Sequence, residues 1–278
     1  MSSSGARSLP PSLAPVVAAL EFEPPEGPLS LADIARLANL SPERARLTAS
    51  RLAKHGWLER IRPGLYEFVP AAQGFPFGTE WHALVGVTQE VVVSGLTAAR
   101  LHGLTPQLPS RHLLVMRVDR AVPRPIARSE RFRVARLKPW RVFGAERQTI
   151  DGVSVPIARP ERVLLDAIER PDWFAGVGET ARILARGLPR ADRDRLVAWA
   201  ERWRSRALLR RVGWWGERVL GPGAWSAPQR ERLTAGAPHG NHVGALVHGV
   251  PPSGRRDPRW GVVVNVPEDA LKLEDAVR

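Results

Sequence analysis

Residues 30–69 read SLADIARLANLSPERARLTASRLAKHGWLERIRPGLYEFV, and this stretch decides the fold. Ser30 precedes Leu31-Ala32-Asp33-Ile34-Ala35-Arg36-Leu37. Its hydroxyl can accept from the orphan amides of a first helical turn, and Asp33, three residues on, completes a capping-box-like pattern. Leu31, Ile34, Ala35 and Ala38 recur at i, i+3, i+4 and i+7, which is one side of a helix. Asn39 and Leu40 make a turn. Ser41 followed by Pro42 is an N-cap with proline at the first helical position, so a second helix is predicted over 42–55, stopped at Gly56. Two short strands follow at 57–61 and 65–69. Arg62-Pro63-Gly64 joins them: proline presets one turn dihedral, and glycine allows the positive one that a type II turn needs.

Helix, tight turn, basic helix and Arg-tipped ribbon is the order of a winged helix-turn-helix, a module that lays one helix in the DNA major groove. Ala45, Ala49 and Leu52 line the inward side of the predicted second helix. The other side carries Glu43, Arg44, Leu47, Ser50, Arg51 and Lys54, with Arg46 on its flank. Arginine pairs bidentately with guanine O6 and N7, serine contacts several bases, and an aliphatic tip suits a thymine methyl. Lys54, near the helix end, suits a phosphate. Arg60 and Arg62 flank the ribbon turn, within reach of the backbone or minor groove. The candidate DNA contacts are therefore Arg44, Arg46, Leu47, Ser50, Arg51, Lys54, Arg60 and Arg62. Arginines on one amphipathic helix alone describe a solvated face; the complete order of elements favours DNA. Winged helices also serve as protein-binding modules.

The chain has 278 residues, 44% hydrophobic and 25% charged, enough for one large or two ordinary globular domains. Its net charge of +13 favours polyanions, nucleic acid first and anionic membrane surfaces second. Charge placement says more than the total. Residues 36–62 hold 7 basic and 2 acidic groups, and residues 111–147 hold 11 and 3. There is no cysteine, so no disulfide framework or thiolate metal site, and a reducing cytoplasm fits. The apolar stretch at 13–20 contains Pro15 and runs into Glu21 and Glu23, which reads as a first helix rather than a signal peptide. No stretch reaches the roughly 18 apolar residues of a membrane span. The expectation is a cytoplasmic protein with no membrane partner.

The expected class is α+β: an N-terminal winged helix-turn-helix domain at 9–70, preceded by frayed residues 1–8, then a mixed α/β domain at 79–278. A Pro/Gly/Ala-rich linker at 70–78 separates them, and the tail from about 221 reads as loop-rich with one strand-like run at 260–266. In the second domain Ser94 is expected to cap a helix through Leu101, ended by Gly103, with Leu96, Ala99 and Arg100 setting an apolar side inward. Runs at 111–118 and 131–138 read as strands. In the latter, Arg131, Arg133 and Arg136, with Lys138 beside them, suggest one basic face, a second phosphate-contacting patch; a solvated arginine face is the other reading. Helices are predicted at 160–169, 178–186, 191–204 and 205–220. Trp199, Trp203, Trp214 and Trp215 recur there at near-helical spacing, which indicates core packing, with a partner-binding surface as the alternative.

Leu52-Ala53-Lys54-His55-Gly56-Trp57-Leu58-Glu59-Arg60-Ile61-Arg62-Pro63-Gly64-Leu65-Tyr66 resembles the wing region of AbiEi-type antitoxins of the type IV, abortive-infection toxin–antitoxin systems. Val93-Ser94-Gly95-Leu96-Thr97-Ala98-Ala99-Arg100-Leu101-His102-Gly103-Leu104 is similar to that family's Ser-Gly, Ala and His-Gly-Leu signature. Pro160-Glu161-Arg162-Val163-Leu164-Leu165-Asp166 resembles its Leu-Leu-Asp helix, and Trp260 with Val264-Asn265 its closing strand. The resemblance implies a two-domain antitoxin whose winged domain binds inverted repeats upstream of its own operon and represses it. The second domain would counteract a cognate nucleotidyltransferase toxin; direct contact with the toxin is not implied. It implies no catalytic residues and no cofactor.

Enzymatic motifs are weak. Gly176-Val177-Gly178-Glu179-Thr180-Ala181 mimics a dinucleotide fingerprint without a preceding strand. His239, His242 and His248 lie in a Gly/Pro-rich segment with no thiolate beside them. Asp151 and Glu161 with Lys138 suggest a nuclease only loosely. The alternatives to an antitoxin are a winged-helix-targeted DNA-processing enzyme (a nuclease) and a ligand-sensing transcription factor.

Overall fold

A computed structural model of the chain describes residues 9–25, 27–69, 80–84, 91–123, 126–127, 129–150, 153–235 and 244–272. Residues 1–8, the expected linker at 70–78, Asp151, His239 and His242 lie outside these. The chain divides into two units, one comprising Met1–Val87, Pro123–Ser129 and Gln148–Val155, the other Thr88–Val122, Glu130–Arg147 and Pro156–Arg278.

In the first unit the helix starts follow from their caps. The Ser30 hydroxyl accepts from the Asp33 amide at 3.1 Å, and the Asp33 carboxylate accepts from the Ser30 amide at 2.9 Å, a closed capping box. The elements are α1 (Ala14–Phe22), β1 (Leu29–Ser30), α2 (Leu31–Leu37), α3 (Pro42–Lys54), β2 (Leu58–Arg62) and β3 (Leu65–Phe68). The strands form an antiparallel sheet in the order β1-β3-β2, with Leu29 opposite Tyr66 and Leu58 opposite Phe68. Gly64 turns the ribbon at φ +78°, the region a β-carbon disfavours. Val16, Val17 and Leu20 of α1, Ile34 of α2, and Ala45, Ala49 and Leu52 of α3 share one core with Trp57, Tyr66 and Phe68. Leu31, Ala35 and Ala38 pack against it half-buried, as their spacing requires.

The second unit is built on a mixed sheet in the order β6-β5-β4-β8-β7. Its strands are β4 (Val91–Ser94), β5 (His112–Arg117), β6 (Phe132–Leu137), β7 (Ala145–Ile150) and β8 (Val153–Ala158), of which Gln148–Ile150 and Val153–Val155 belong to the first unit. β4 is central, buried at every residue, antiparallel to β5 and parallel to β8. Six helices accompany the sheet: α4 (Gly95–Leu101), α5 (Pro160–Glu169), α6 (Val177–Gly187), α7 (Arg193–Arg202), α8 (Arg206–Leu220) and α9 (Ala227–Thr234). α5 touches α4, α6, α7 and α8 and is buried from Glu161 through Ile168.

Three expectations need correction. Ser94 sits at the N-cap position of α4 but its side chain caps nothing, because the hydroxyl is committed elsewhere. The inward side of α4 is Thr97, Ala98 and Ala99; Arg100 is exposed and donates to the Pro106 carbonyl at 2.7 Å. The tail is not mostly loop. It adds α9, opened by a Ser226–Gln229 capping box, and a small sheet of β9 (Gly244–Ala245), β10 (Arg255–Asp257) and β11 (Val262–Val264). Ser226 and Gln229 carry the same local signal as Ser30 and Asp33, and it was legible in the sequence.

The tail is seated by two glycines of α8. A β-carbon on Gly213 would lie 2.0 Å from the Trp260 ring, and one on Gly216 2.2 Å from the Trp225 ring. Trp225 Nε1 donates to the Gly213 carbonyl at 3.0 Å, and Trp260 Nε1 to Glu217 at 2.8 Å. Trp203, Trp214 and Trp215 are buried, and the half-buried Trp199 meets Phe143 edge-on at 5.6 Å, so the tryptophans of α7 and α8 are core.

Candidate nucleic-acid interface

α3 is fixed by what lies beneath it. Ser41 accepts from the Arg44 amide at 3.4 Å to start the helix, and Ala45, Ala49 and Leu52 are wholly buried. The small alanines let α3 lie close on the core, so the opposite side stands clear. Arg44, Arg46, Leu47, Ser50, Arg51 and Lys54 are all exposed, Leu47 to 66%. An aliphatic side chain that exposed gains nothing from the core.

Among the described residues no carboxylate pairs with Arg44, Arg46, Arg51 or Lys54. Arg36 of α2 differs, because Asp33 holds it at 3.1 Å. The Asp33 carboxyl is kept below the usual carboxylate range first by the Ser30 hydroxyl and amide, then by Arg36. Arg51 has one contact that sequence reasoning missed: its Nη2 donates to Ser12 Oγ at 3.1 Å, across 39 residues of chain. Ser12 stands beside Leu13, whose burial in the core fixes its place.

The ribbon carries its arginines outward too. Pairing between β2 and β3 shifts register between Arg60 and Arg62, which leaves Ile61 as an extra residue, a bulge of the kind that bends and twists a strand. Ile61 is half-buried while Arg60 and Arg62 are exposed.

The expected basic face on β6 takes a different form. The strand pairs with β5 without a break from Phe132 to Leu137, so Arg133 and Arg136 fall on opposite faces. Arg133 meets Asp172 at 3.5 Å. Arg136 donates to the carbonyls of Val118 and Arg120 at 2.5 and 2.9 Å. Asp172 also accepts from Nε and Nη2 of Arg170, each at 2.9 Å; that hydrogen bonding, then the charges of Arg170 and of Arg133, holds its carboxyl low. Arg131 and Lys138 are exposed at the two ends. Only partners distant in sequence reveal that Arg133 and Arg136 are engaged.

The other motifs of the second unit hold the fold. The Ser94 hydroxyl donates to Asp166 at 2.6 Å, joining the Ser-Gly and Leu-Leu-Asp motifs across 72 residues. Asp166 is ion-paired with Arg162 at 3.0 Å, both side chains fully buried. Arg162 Nη1 also donates to the carbonyls of Arg141 and Phe143, and its guanidinium lies over the Phe143 and Trp203 rings. His102 Nε2 stands 2.7 Å from the Ala158 carbonyl. Buried Glu179 is met by the Thr105 hydroxyl and by Arg182 at 2.8 Å. Gly176 follows a 3-10 turn, not the strand a dinucleotide fingerprint needs, and His248 is exposed. Among the described residues, no group of three or more His, Cys, Asp or Glu side chains is placed to hold a metal ion, and no helix is long and apolar enough to cross a membrane.

Residues 26–69 match a family described as "Transcriptional regulator, AbiEi antitoxin", and residues 91–213 match "AbiEi antitoxin C-terminal domain". Together they span more than half of the chain. The chain belongs to the AbiEi antitoxin family. Its fold is also similar to the crystal structure of the RV2827C protein from Mycobacterium tuberculosis, at 16% identity over 92% of each chain with a TM-score of 0.65. No curated protein matches it. In AbiEi terms, α3 and the wing fall inside the regulator match, and the Ser94–Asp166–Arg162 network inside the C-terminal match.

Proposed function

We propose that this chain is a cytoplasmic antitoxin that reads inverted repeats upstream of its own operon, represses that operon, and counteracts a cognate nucleotidyltransferase toxin, catalysing no reaction and using no cofactor. α3 enters the major groove with Arg44, Arg46, Leu47, Ser50 and Arg51 toward base edges. Lys54, Arg60 and Arg62 meet phosphates or the minor groove. The observation that carries this reading is the outer side of α3, where exposed cations without carboxylate partners flank an exposed leucine on a helix whose other side is locked into the core. The toxin's chemistry rests on family membership.

The test is binding of the full chain to a fragment from upstream of its gene against a scrambled fragment, at about 150 mM salt, since phosphate contacts make affinity steeply salt-dependent. A preference of roughly 10³-fold or more is expected of a specific reader. Equal weak binding to both fragments overturns the reading. Co-expression with a nucleotidyltransferase toxin encoded beside its gene then tests the antitoxin activity: growth is expected to be restored, and continued arrest, or the lack of such a neighbour, rejects it.

A further inference from the structure

In the second unit, many arginines are neutralised by carboxylates: Arg117 by Asp119, Arg170 by Asp172, Arg211 by Glu169, Arg232 by Glu201. Four cations lie over aromatic rings instead. Lys138 Nζ and the Arg204 guanidinium each lie 5.1 Å from the centroid of the Trp140 ring. Arg141 lies 5.4 Å over Trp203 and donates Nε to the Trp203 carbonyl at 3.2 Å. Arg202 lies 4.3 Å over Phe143. The buried Arg162 lies over both Phe143 and Trp203, which ties those two rings into one cluster; Trp140 adjoins it as the chain neighbour of Arg141, and Arg204 as that of Trp203. Among the described residues none of the four has a carboxylate partner. Lys138, Arg202 and Arg204 are exposed and Arg141 half-buried. Arg204 is also one of three non-glycine residues in the left-handed region among the described residues, at φ +57°.

We propose that this patch binds unpaired nucleotides of a single-stranded nucleic acid. Uncompensated like charges at one place are stabilised by a polyanion. A guanidinium already held over a ring is partly ordered before binding, and it offers its edge to a phosphate and its outer face to a base. A base inside a duplex has both faces covered, so only an unpaired one uses that second surface. An acidic protein would use the edges alone, and the rings would have no part. The patch is independent of α3.

The probe is a labelled single-stranded DNA oligonucleotide of about 12 nucleotides, in the range of such sites, beside its own duplex. Both carry a sequence unrelated to the upstream fragment, and the full chain is used at about 150 mM salt. The single strand is expected to bind at least about tenfold tighter than the duplex. Arg202→Ala with Arg204→Ala lowers single-strand affinity about tenfold or more and the salt slope by about 1.4. Arg202→Lys with Arg204→Lys keeps the slope but loses affinity, because an ammonium has charge without the planar face. Lys138→Gln serves as a second probe of the patch if the double alanine variant does not fold, and weakens binding as well. Arg44→Ala with Arg51→Ala binds the single strand as the parent does. Equal affinity for duplex and single strand overturns the proposal, as do lysine variants indistinguishable from the parent. Loss of single-strand binding in the Arg44/Arg51 variant overturns it by placing the strand on the first unit. Absence of single-strand binding by the parent overturns it as well.

Discussion

α3 and α5 are both helices opened by Pro-Glu and carrying arginine, and they use it in opposite ways. On α3 a narrow stripe of Ala45, Ala49 and Leu52 is buried, and the arginines face solvent with no carboxylate partner among the described residues. On α5 four neighbouring helices close every side, so Arg162 enters the core and brings Asp166 with it one turn on. An unpaired charge so buried would cost several kcal/mol, roughly. The pair, two carbonyls and two rings meet that cost locally. An arginine's role is thus set by how many sides of its helix are covered, which its own sequence neighbourhood does not state.

The contrast can be broken most sharply at Arg162. Arg162→Ala strands Asp166 in the core and should destabilise the second unit by about 3–5 kcal/mol, read from denaturant unfolding; a loss no larger than that of a surface substitution would remove the distinction. Arg51→Ala should do the converse: unfolding unchanged, and affinity for the upstream fragment lower by about 1–3 kcal/mol with relaxed sequence preference. Unchanged binding would show that the wrong side of α3 has been assigned.

Ser30→Ala probes the support under α3 and should cost about 1 kcal/mol at neutral pH. The folded Asp33 carboxyl is held low, so its contribution exists above the ordinary value of about 3.9 and disappears as pH falls through the lower folded value. The gap between Ser30→Ala and parent should therefore narrow in acid; a gap that widens there contradicts the capping box as its source. Smallest of all, Ser12→Ala should weaken upstream-fragment binding only a few-fold, near the net worth of about 0.5–1.5 kcal/mol for one hydrogen bond. In an Arg51→Ala background it should have no effect, a cycle that isolates the pair.

These predictions differ in how far the sequence alone would have allowed them. The first unit is legible because its signals are near neighbours: Ser30 with Asp33, Ser41 with Pro42, Pro63 with Gly64. The outward side of α3 follows from them by helical period. The second unit depends on contacts between distant residues. Nothing near Ser94 says that its hydroxyl belongs to Asp166 rather than to α4, and nothing near Arg136 names the carbonyls at 118 and 120. The order β6-β5-β4-β8-β7 is likewise a matter of long-range pairing. α9 lies between the two cases: Ser226 and Gln229 carry a local capping box, but Gly221-Pro222-Gly223 just before them has the composition of a loop.

Gly213 and Gly216 give the chain a sequence of completion. As the polypeptide is synthesised, α8 emerges with two open notches, and only Trp225 and then Trp260, translated later, can fill them. A product cut short after residue 220 would retain every residue assigned here to nucleic acid, yet would present unfilled apolar slots to chaperones and proteases. The two indoles thus act as a seal: a molecule in this form has been made to at least residue 260.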